Sequence, residues 1–324
     1  MKKILIIRQG AIGDVVHTSN IFRSIKEKHP DVVIDYVTSK VPAMLIEHDS
    51  RLGKVYKLKS KDYKYLTKLG LLLRKNKYDA VINLQPSVRF RYLTFLINPK
   101  KTVIYKKTFK LHAVENFFRT AKKLFKDIEN LQNLELEIPS DVVEKVKKDL
   151  PSDKKIVVLN IATSTGRKGR KWPIEYFKEL ALELIDRFDC VVVFPGAKED
   201  LAEVECFGSL HPNILITAGK YNILESAALY SLANVFVSGD TGPLHIATAT
   251  KKPFCIGLYG SASVSRTGPW GMNHFALSAD LPCIPCDRRK CQLKEYKDKD
   301  INPCLMEIKP AHVIGVINDN DLLA

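Results

Sequence analysis

Long apolar runs are missing from this chain. Its unbroken apolar stretches, such as Ile4–Ile7 and Val191–Phe194, are only a few residues long, whereas a membrane span needs roughly 20 apolar residues. Lys2 and Lys3 mimic the start of an export signal, but Arg8 cuts the following apolar stretch short of the about 7–15 residues such a signal needs. A cytoplasmic protein is expected. Glycine and proline are sparse, at 16 each in 324 residues, which excludes a collagen-like or Pro/Gly-rich chain. With 45% hydrophobic and 27% charged residues, the chain is too apolar for intrinsic disorder. There are seven cysteines, an odd number; reduced thiols or a metal site fit better than a disulfide framework. Helix-turn-helix, RNP and zinc-finger patterns are absent, so specific nucleic-acid readout is not expected.

Acidic residues are nearly missing from one segment. Residues 51–110 hold 17 Lys and Arg against only Asp62 and Asp79, a local excess equal to the whole net charge of +15. A field of this size attracts an anionic partner: nucleic acid, a phosphorylated glycan or an anionic membrane. The plain alternative is a solvated lysine-rich surface.

At roughly 150 residues per domain, the length predicts two domains. Short apolar strands alternate with helical segments from Lys3 to about Phe125, and again from Ile156 onward, which predicts parallel sheets with crossover helices. Leu131–Pro139 breaks the pattern, and the turn Pro151-Ser152-Asp153 is read as the boundary. Domains of 1–150 and 151–310 follow, with 311–324 as a final helix. Ligands in such folds bind at the carboxyl ends of the strands.

Four loops carry candidate chemistry. The first, Arg8 to Thr18, ends a strand and opens a helix; Gly10 and Gly13 permit tight turning, and the helix start favours an anion. It lacks one glycine of the dinucleotide fingerprint, although Asp35 lies about 20 residues on. Asp14 there reads either as a helix N-cap or as a general base facing a cleft. The second, Thr163-Ser164-Thr165-Gly166-Arg167-Lys168-Gly169-Arg170-Lys171, crowds hydroxyls, glycines and cations before Trp172-Pro173. That chemistry suits a pyrophosphate, although it is not a Walker A sequence. The third, Ser238-Gly239-Asp240-Thr241-Gly242-Pro243-Leu244-His245, joins a strand to a helix; His245 alone also reads as a core histidine. The fourth holds Cys283, Cys286, Cys291 and Cys304, a spacing that permits a four-thiolate zinc site or simply reduced structural thiols.

Together these motifs resemble glycosyltransferase family 9, the ADP-heptose:lipopolysaccharide heptosyltransferases. The likeness rests on Ile4–Thr18, on Arg170-Lys171-Trp172-Pro173, on Val237–His245 and on the late cysteines. It implies a GT-B fold, in which two Rossmann-like α/β domains with parallel sheets face a central cleft, and a final helix packed back on the first domain. It further implies an inverting, metal-independent transfer of heptose from ADP-heptose to the lipopolysaccharide inner core. No cofactor is required beyond the substrate. Asp14 is then the general base on an acceptor-side loop with Arg8, Gly10, Gly13 and His17. Thr163, Ser164, Thr165, Arg170 and Lys171 hold the donor diphosphate. Glu225, Asp240, Thr241, Gly242 and His245 face the donor sugar and nucleotide. A monomer at the inner face of the inner membrane, reaching a lipid-linked anionic glycan through residues 51–110, completes the expectation. The competing readings are a nicotinamide-dependent oxidoreductase using Gly10, Gly13 and Asp35, and a non-catalytic binder of anionic surfaces.

Overall fold

The computed structural model describes residues 1–131, 133–162, 171–288, 291–293, 296 and 303–324. It divides into two compact units, Met1–Ile138 and Pro139–Ala324.

The first unit is built on five strands: β1 (Lys3–Ile7), β2 (Val33–Ser39), β3 (Val55–Leu58), β4 (Ala80–Asn83) and β5 (Lys101–Ile104). They lie in the order β3-β2-β1-β4-β5, every pair parallel. Within β1 the stretch Ile4–Ile7 and within β4 the stretch Ala80–Ile82 are unbroken apolar runs because helices cover both faces of a parallel sheet. The helices are α1 (Ile12–His17), α2 (Ser19–Lys28), α3 (Lys40–Ile46), α4 (Tyr63–Arg74), α5 (Val88–Ile97) and α6 (Ala113–Lys122). The sequence predicts one helix over Asp14–Lys28; two form. Thr18 interrupts it, with its Oγ1 donating to the Val15 carbonyl at 2.6 Å and meeting the buried Tyr36 hydroxyl at 2.7 Å. Asp62 caps α4 by accepting from the Tyr65 N–H at 2.7 Å.

The second unit holds β6 (Ile156–Asn160), β7 (Val191–Phe194), β8 (Ile214–Ile216), β9 (Val235–Gly239), β10 (Phe254–Tyr259) and β11 (His274–Ser278). Their order is β11-β10-β9-β6-β7-β8, again all parallel. Its helices are α7 (Ser140–Lys147), α8 (Ile174–Phe188), α9 (Leu201–Val204), α10 (Ile223–Leu232), α11 (Gly242–Thr248), α12 (Val264–Thr267), α13 (Pro303–Met306) and α14 (Pro310–Asp319). The single helix expected over Glu199–Leu210 is instead α9 flanked by 3-10 turns.

The boundary falls at 138–139, earlier than the expected 150–151. The reason is local: α7 belongs to the second unit, where Lys145 pairs with Glu225 on α10 at 2.6 Å and Tyr221 donates to Asp149 at 2.8 Å. The final helix, expected to pack back on the first domain, contributes Val313, Ile314, Val316 and Ile317 to the second unit's core. Trp172 locks the start of α8 to the chain before α14, donating from Nε1 to the Ile308 carbonyl at 2.7 Å.

Strand β11 is absent from the sequence reading. It is an edge strand of mixed exposure, so it lacks the apolar run that marks β6 or β9. The Cys255 N–H donates to His274 Nδ1 at 3.3 Å. Burial pushes His274 down to about 4, against hydrogen bonds to the Thr248 and Asn273 backbone that act in the other direction. The unfolded chain takes up this proton near pH 6.5. Stability is therefore full above that pH and falls as the pH drops toward 4, by up to about 1.4 kcal/mol per pH unit. Urea titrations across this range should show that His274→Gln flattens the dependence; an unchanged slope would assign it to other groups.

Candidate functional site

In the first sheet the strand order turns back at β1, so a crevice opens at the carboxyl ends of β1 and β4. The loops that leave these strands meet there. The Leu84 N–H donates to the Ile7 carbonyl at 2.8 Å. Arg8 spans the gap: Nη1 donates to the Leu84 carbonyl at 2.7 Å, Nη2 binds Asp14 Oδ2, and the guanidinium lies over the Phe117 ring at 5.1 Å.

Asp14 is the third residue of α1 and Ala11 is the N-cap, which corrects the N-cap alternative. Its Oδ2 also accepts from the Ala11 N–H at 3.2 Å. Both bonds fall on Oδ2; Oδ1 has no partner among the described residues, and the side chain is one-third exposed. A Cβ on Gly10 would meet nothing within 4 Å, so the space above it is open. Gly13 is buried. His17 is buried too, with its ring 5.7 Å from that of His112. Arg8 Nε and Gln85 Oε1 are buried at this crevice with no hydrogen-bond partner among the described residues. Gln85 escaped the sequence reading; its only signal is its place just after β4.

Asp35 does not reach this crevice as a ribose ligand. It is 1% exposed and accepts from the Lys54 N–H at 2.8 Å and from the Tyr78 hydroxyl at 2.6 Å, with Lys3 at 3.1 Å. These bonds spend its carboxylate inside the fold, and the nicotinamide reading loses its acid.

The second sheet turns back between β6 and β9. Asn160, the last residue of β6, crosses this gap: Nδ2 donates to Ser238 Oγ on β9 at 2.9 Å and to the Ala162 carbonyl at 3.2 Å. Ser238 Oγ lies 3.0 Å from Thr241 Oγ1. This relay fixes the turn that opens α11 at Gly242. His245 Nε2 stands 3.6 Å from Asp240 Oδ1, both side chains about one-tenth exposed or less. Asn160 Oδ1 is buried with no partner among the described residues. The structure thus brings Ser238, Asp240, Thr241, Gly242 and His245 of the third loop together at the crevice and adds Asn160, which the sequence reading missed. A polar residue closing an apolar strand was the available signal.

Thr163, Ser164, Thr165 and Arg170 lie outside the described residues. Lys171 places its ammonium 2.6 Å from both oxygens of Glu203. Glu225 is held at both oxygens, accepting from the Asn222 N–H at 2.9 Å and from Lys145 at 2.6 Å; Lys145 first, then the Asn222 N–H, lowers its pKa. Cys283, Cys286, Cys291 and Cys304 line one cavity of about 350 Å³. Burial, reinforced by the other three thiols, pushes Cys304 up to about 11. Among the described residues no three His, Cys, Asp or Glu side chains are placed to hold a metal. The four thiols surround a space and do not fit a preformed zinc centre.

Comparison with known proteins places this geometry. The family model of glycosyltransferase family 9 (heptosyltransferase) matches residues 97–297. Lipooligosaccharide heptosyltransferase 2 of Campylobacter jejuni is 24% identical over 328 residues, covering 97% of this chain and 98% of the relative. Among solved structures, a family 9 glycosyltransferase from Veillonella parvula superposes with a TM-score of 0.82 at 21% identity, covering 99% of this chain and 97% of that one. The Escherichia coli ADP-heptose lipopolysaccharide heptosyltransferase II gives 0.79 at 19% identity, covering 99% and 98%. These likenesses establish the GT-B fold.

The Asn160 bridge yields a direct test. Asn160→Ala leaves the Ser238–Thr241 pair without its buried anchor and should cost about 2 kcal/mol, read as a lower urea midpoint with unchanged slope. An unchanged midpoint would mean that the relay does not hold the β9–α11 turn.

Proposed function

Because the chain belongs to glycosyltransferase family 9, and is therefore a transferase, we propose that it moves a heptose from ADP-L-glycero-D-manno-heptose to the inner core of lipopolysaccharide, on Kdo–lipid A or heptosyl-Kdo. The observation that carries the mechanism is Asp14, a carboxylate fixed by Arg8 at the strand-end crevice with Oδ1 open. In this reading an acceptor hydroxyl attacks the anomeric carbon while its proton passes to Asp14 Oδ1. The bond from that carbon to the phosphate oxygen breaks, and its electron pair leaves with ADP. Attack opposite the leaving group inverts the configuration.

Negative charge grows on the departing diphosphate, and fixed donors must meet it. Thr163, Ser164, Thr165 and Arg170, with Lys171 at the edge, are assigned that work, so the transfer is read as metal-independent. Asp240, Thr241, Gly242 and His245, held by the Asn160–Ser238 relay, face the donor sugar and phosphates. Glu225, preset by Asn222 and Lys145, accepts from the ribose or base. On the first unit Arg8, Gly10, Gly13 and His17 frame the acceptor. Its phosphorylated, lipid-borne character matches the charge of residues 51–110. No helix among the described residues is long and apolar enough to cross a membrane, and the protein is read as a monomer acting from the cytoplasmic face. Membership of an enzyme family removes the non-catalytic binder from contention.

The test is release of ADP from ADP-heptose with a Kdo–lipid A acceptor. Wild type should turn over only with acceptor. Asp14→Asn should lose at least about 100-fold in rate while keeping its affinity for ADP. Turnover retained in Asp14→Asn would remove the base assignment, and no acceptor-dependent release from wild type would remove this donor–acceptor pair.

A further inference from the structure

Helices α4 and α5 lie side by side on one face of the first sheet. Leu66, Leu69 and Leu73 from α4, and Phe90, Leu93 and Ile97 from α5, enter the same core. Gly70 lets the two helices close up, since a Cβ there would stand 2.6 Å from Leu96 Cβ. Thr67 Oγ1 meets the Tyr92 hydroxyl at 2.9 Å, and the Tyr63 and Tyr92 rings pack edge to face at 5.3 Å. With their inner faces committed, the helices present one continuous outer face.

Helical spacing decides what that face holds. On α4 and its cap, Lys64, Lys68, Leu71 and Lys75 recur at i, i+4, i+7 and i+11; on α5, Val88, Arg91 and Phe95 recur at i, i+3 and i+7. All seven are exposed. The apolar members are uncovered to an unusual degree: Leu71 is 50% exposed, Val88 73% and Phe95 77%. Leu72 and Tyr63 flank them, so two helices carry five of the 13 large exposed hydrophobic residues among those described.

Several cations elsewhere in the fold are held by carboxylates. Arg51 is paired with Asp49 and Glu135, Lys145 with Glu225, and Lys171 with Glu203. Lys64, Lys68, Arg74, Lys75, Arg89 and Arg91 form no ion pair within 4 Å with a carboxylate among the described residues, and α4 and α5 contain no Asp or Glu at all. Unpaired cations around exposed Leu, Val and Phe match a surface with phosphate outside and hydrocarbon beneath. A second copy of this face would bring like charges together, which opposes self-association.

We propose that the outer face of α4 and α5 docks on an anionic phospholipid bilayer, with Leu71, Val88 and Phe95 entering the headgroup boundary and Lys64, Lys68, Lys75 and Arg91 meeting lipid phosphates. The inference rests on the reading that the acceptor is lipid-borne and names the surface that reaches it. Position supports it: α5 starts four residues after Leu84, whose carbonyl binds Arg8 at the Asp14 crevice. Docking along this face holds that crevice beside the lipid surface.

The full-length protein is tested by co-sedimentation with phosphatidylethanolamine–phosphatidylglycerol vesicles and with neutral phosphatidylcholine vesicles, neither containing acceptor. Anionic vesicles should bind at least about tenfold tighter. Two variants separate the parts of the surface: Leu71→Ser/Phe95→Ser removes apolar contact, and Lys64→Glu/Lys68→Glu/Lys75→Glu reverses charge. Each should lose about tenfold in vesicle affinity with an unchanged urea midpoint and unchanged affinity for ADP. That second readout separates docking from transfer, because vesicle binding is scored whether or not heptose moves. Equal binding to both vesicle types would overturn the proposal, as would full binding by Leu71→Ser/Phe95→Ser. Displacement of the vesicles by a single-stranded oligonucleotide, or a dimer that dissociates in the serine variant, would assign the face to another partner.

Discussion

A parallel sheet whose strand order reverses has one place where two neighbouring strands send their loops to opposite sides, and a polar crevice opens there. Both sheets of this chain are governed by that constraint. Residues that leave the strands elsewhere are bent back at once onto covering helices. At β1/β4 and at β6/β9 the departing chains diverge, and side chains must bridge the gap. Arg8 does so in the first unit by reaching Leu84 and Asp14, and Asn160 does so in the second by reaching Ser238. Each bridge leaves a buried polar atom without a partner among the described residues, Arg8 Nε and Asn160 Oδ1. Unsatisfied buried groups are costly, and a ligand that supplies the missing bond recovers that cost.

The distribution of charge follows from the same economy. Several cations near the crevices and on the second unit are held by carboxylates. Glu225 is held between a backbone N–H and Lys145; Lys171 sits on Glu203. These pairs set side-chain positions more than they set stability, because exposed ion pairs contribute little. The segment from 51 to 110 has almost no acid with which to do this, so its positive field reaches solvent. Of its two acids, Asp62 caps α4, and Asp79 is taken up by Lys100 and by the N–H groups of Lys2 and Lys3 at the foot of β1.

Strands buried on both faces, such as Lys3–Ile7 and Phe254–Tyr259, were legible in the sequence because burial requires an unbroken apolar run, and the more exposed β3 and β5 were legible from their place in the strand–helix alternation. Strand β11 was not legible because an edge strand with mixed exposure needs no such run. The break at Thr18 was hidden for a different reason: it depends on Tyr36, a residue on another strand. The site was legible as loops and residue types. Asp14 and the Asp240–His245 turn stand where strand ends were expected. The Asn160 bridge and the buried Gln85 were not legible, since both gain their meaning only from the neighbouring strand. Asp35 shows the converse error. Its spacing from the glycines imitates a ribose-binding acid, yet Tyr78 and Lys54 bury and saturate it, and no local pattern records that.

Arg8 explains why one residue type is needed at the first crevice. A lysine would offer a single charged point, able to reach Leu84 or Asp14 but poorly suited to both. The planar guanidinium donates along two directions at once and stacks on Phe117. It therefore ties the end of β4, the start of α1 and the α6 face into one rigid unit. Under the proposed mechanism that rigidity matters, because a base must already be in position when the acceptor hydroxyl arrives. Both Arg8 and the Ala11 N–H hold the same oxygen of Asp14, so the other oxygen has a fixed direction and no competing protein partner among the described residues. In the proposed mechanism the two oxygens then have different work: Oδ2 anchors, and Oδ1 takes the acceptor's proton.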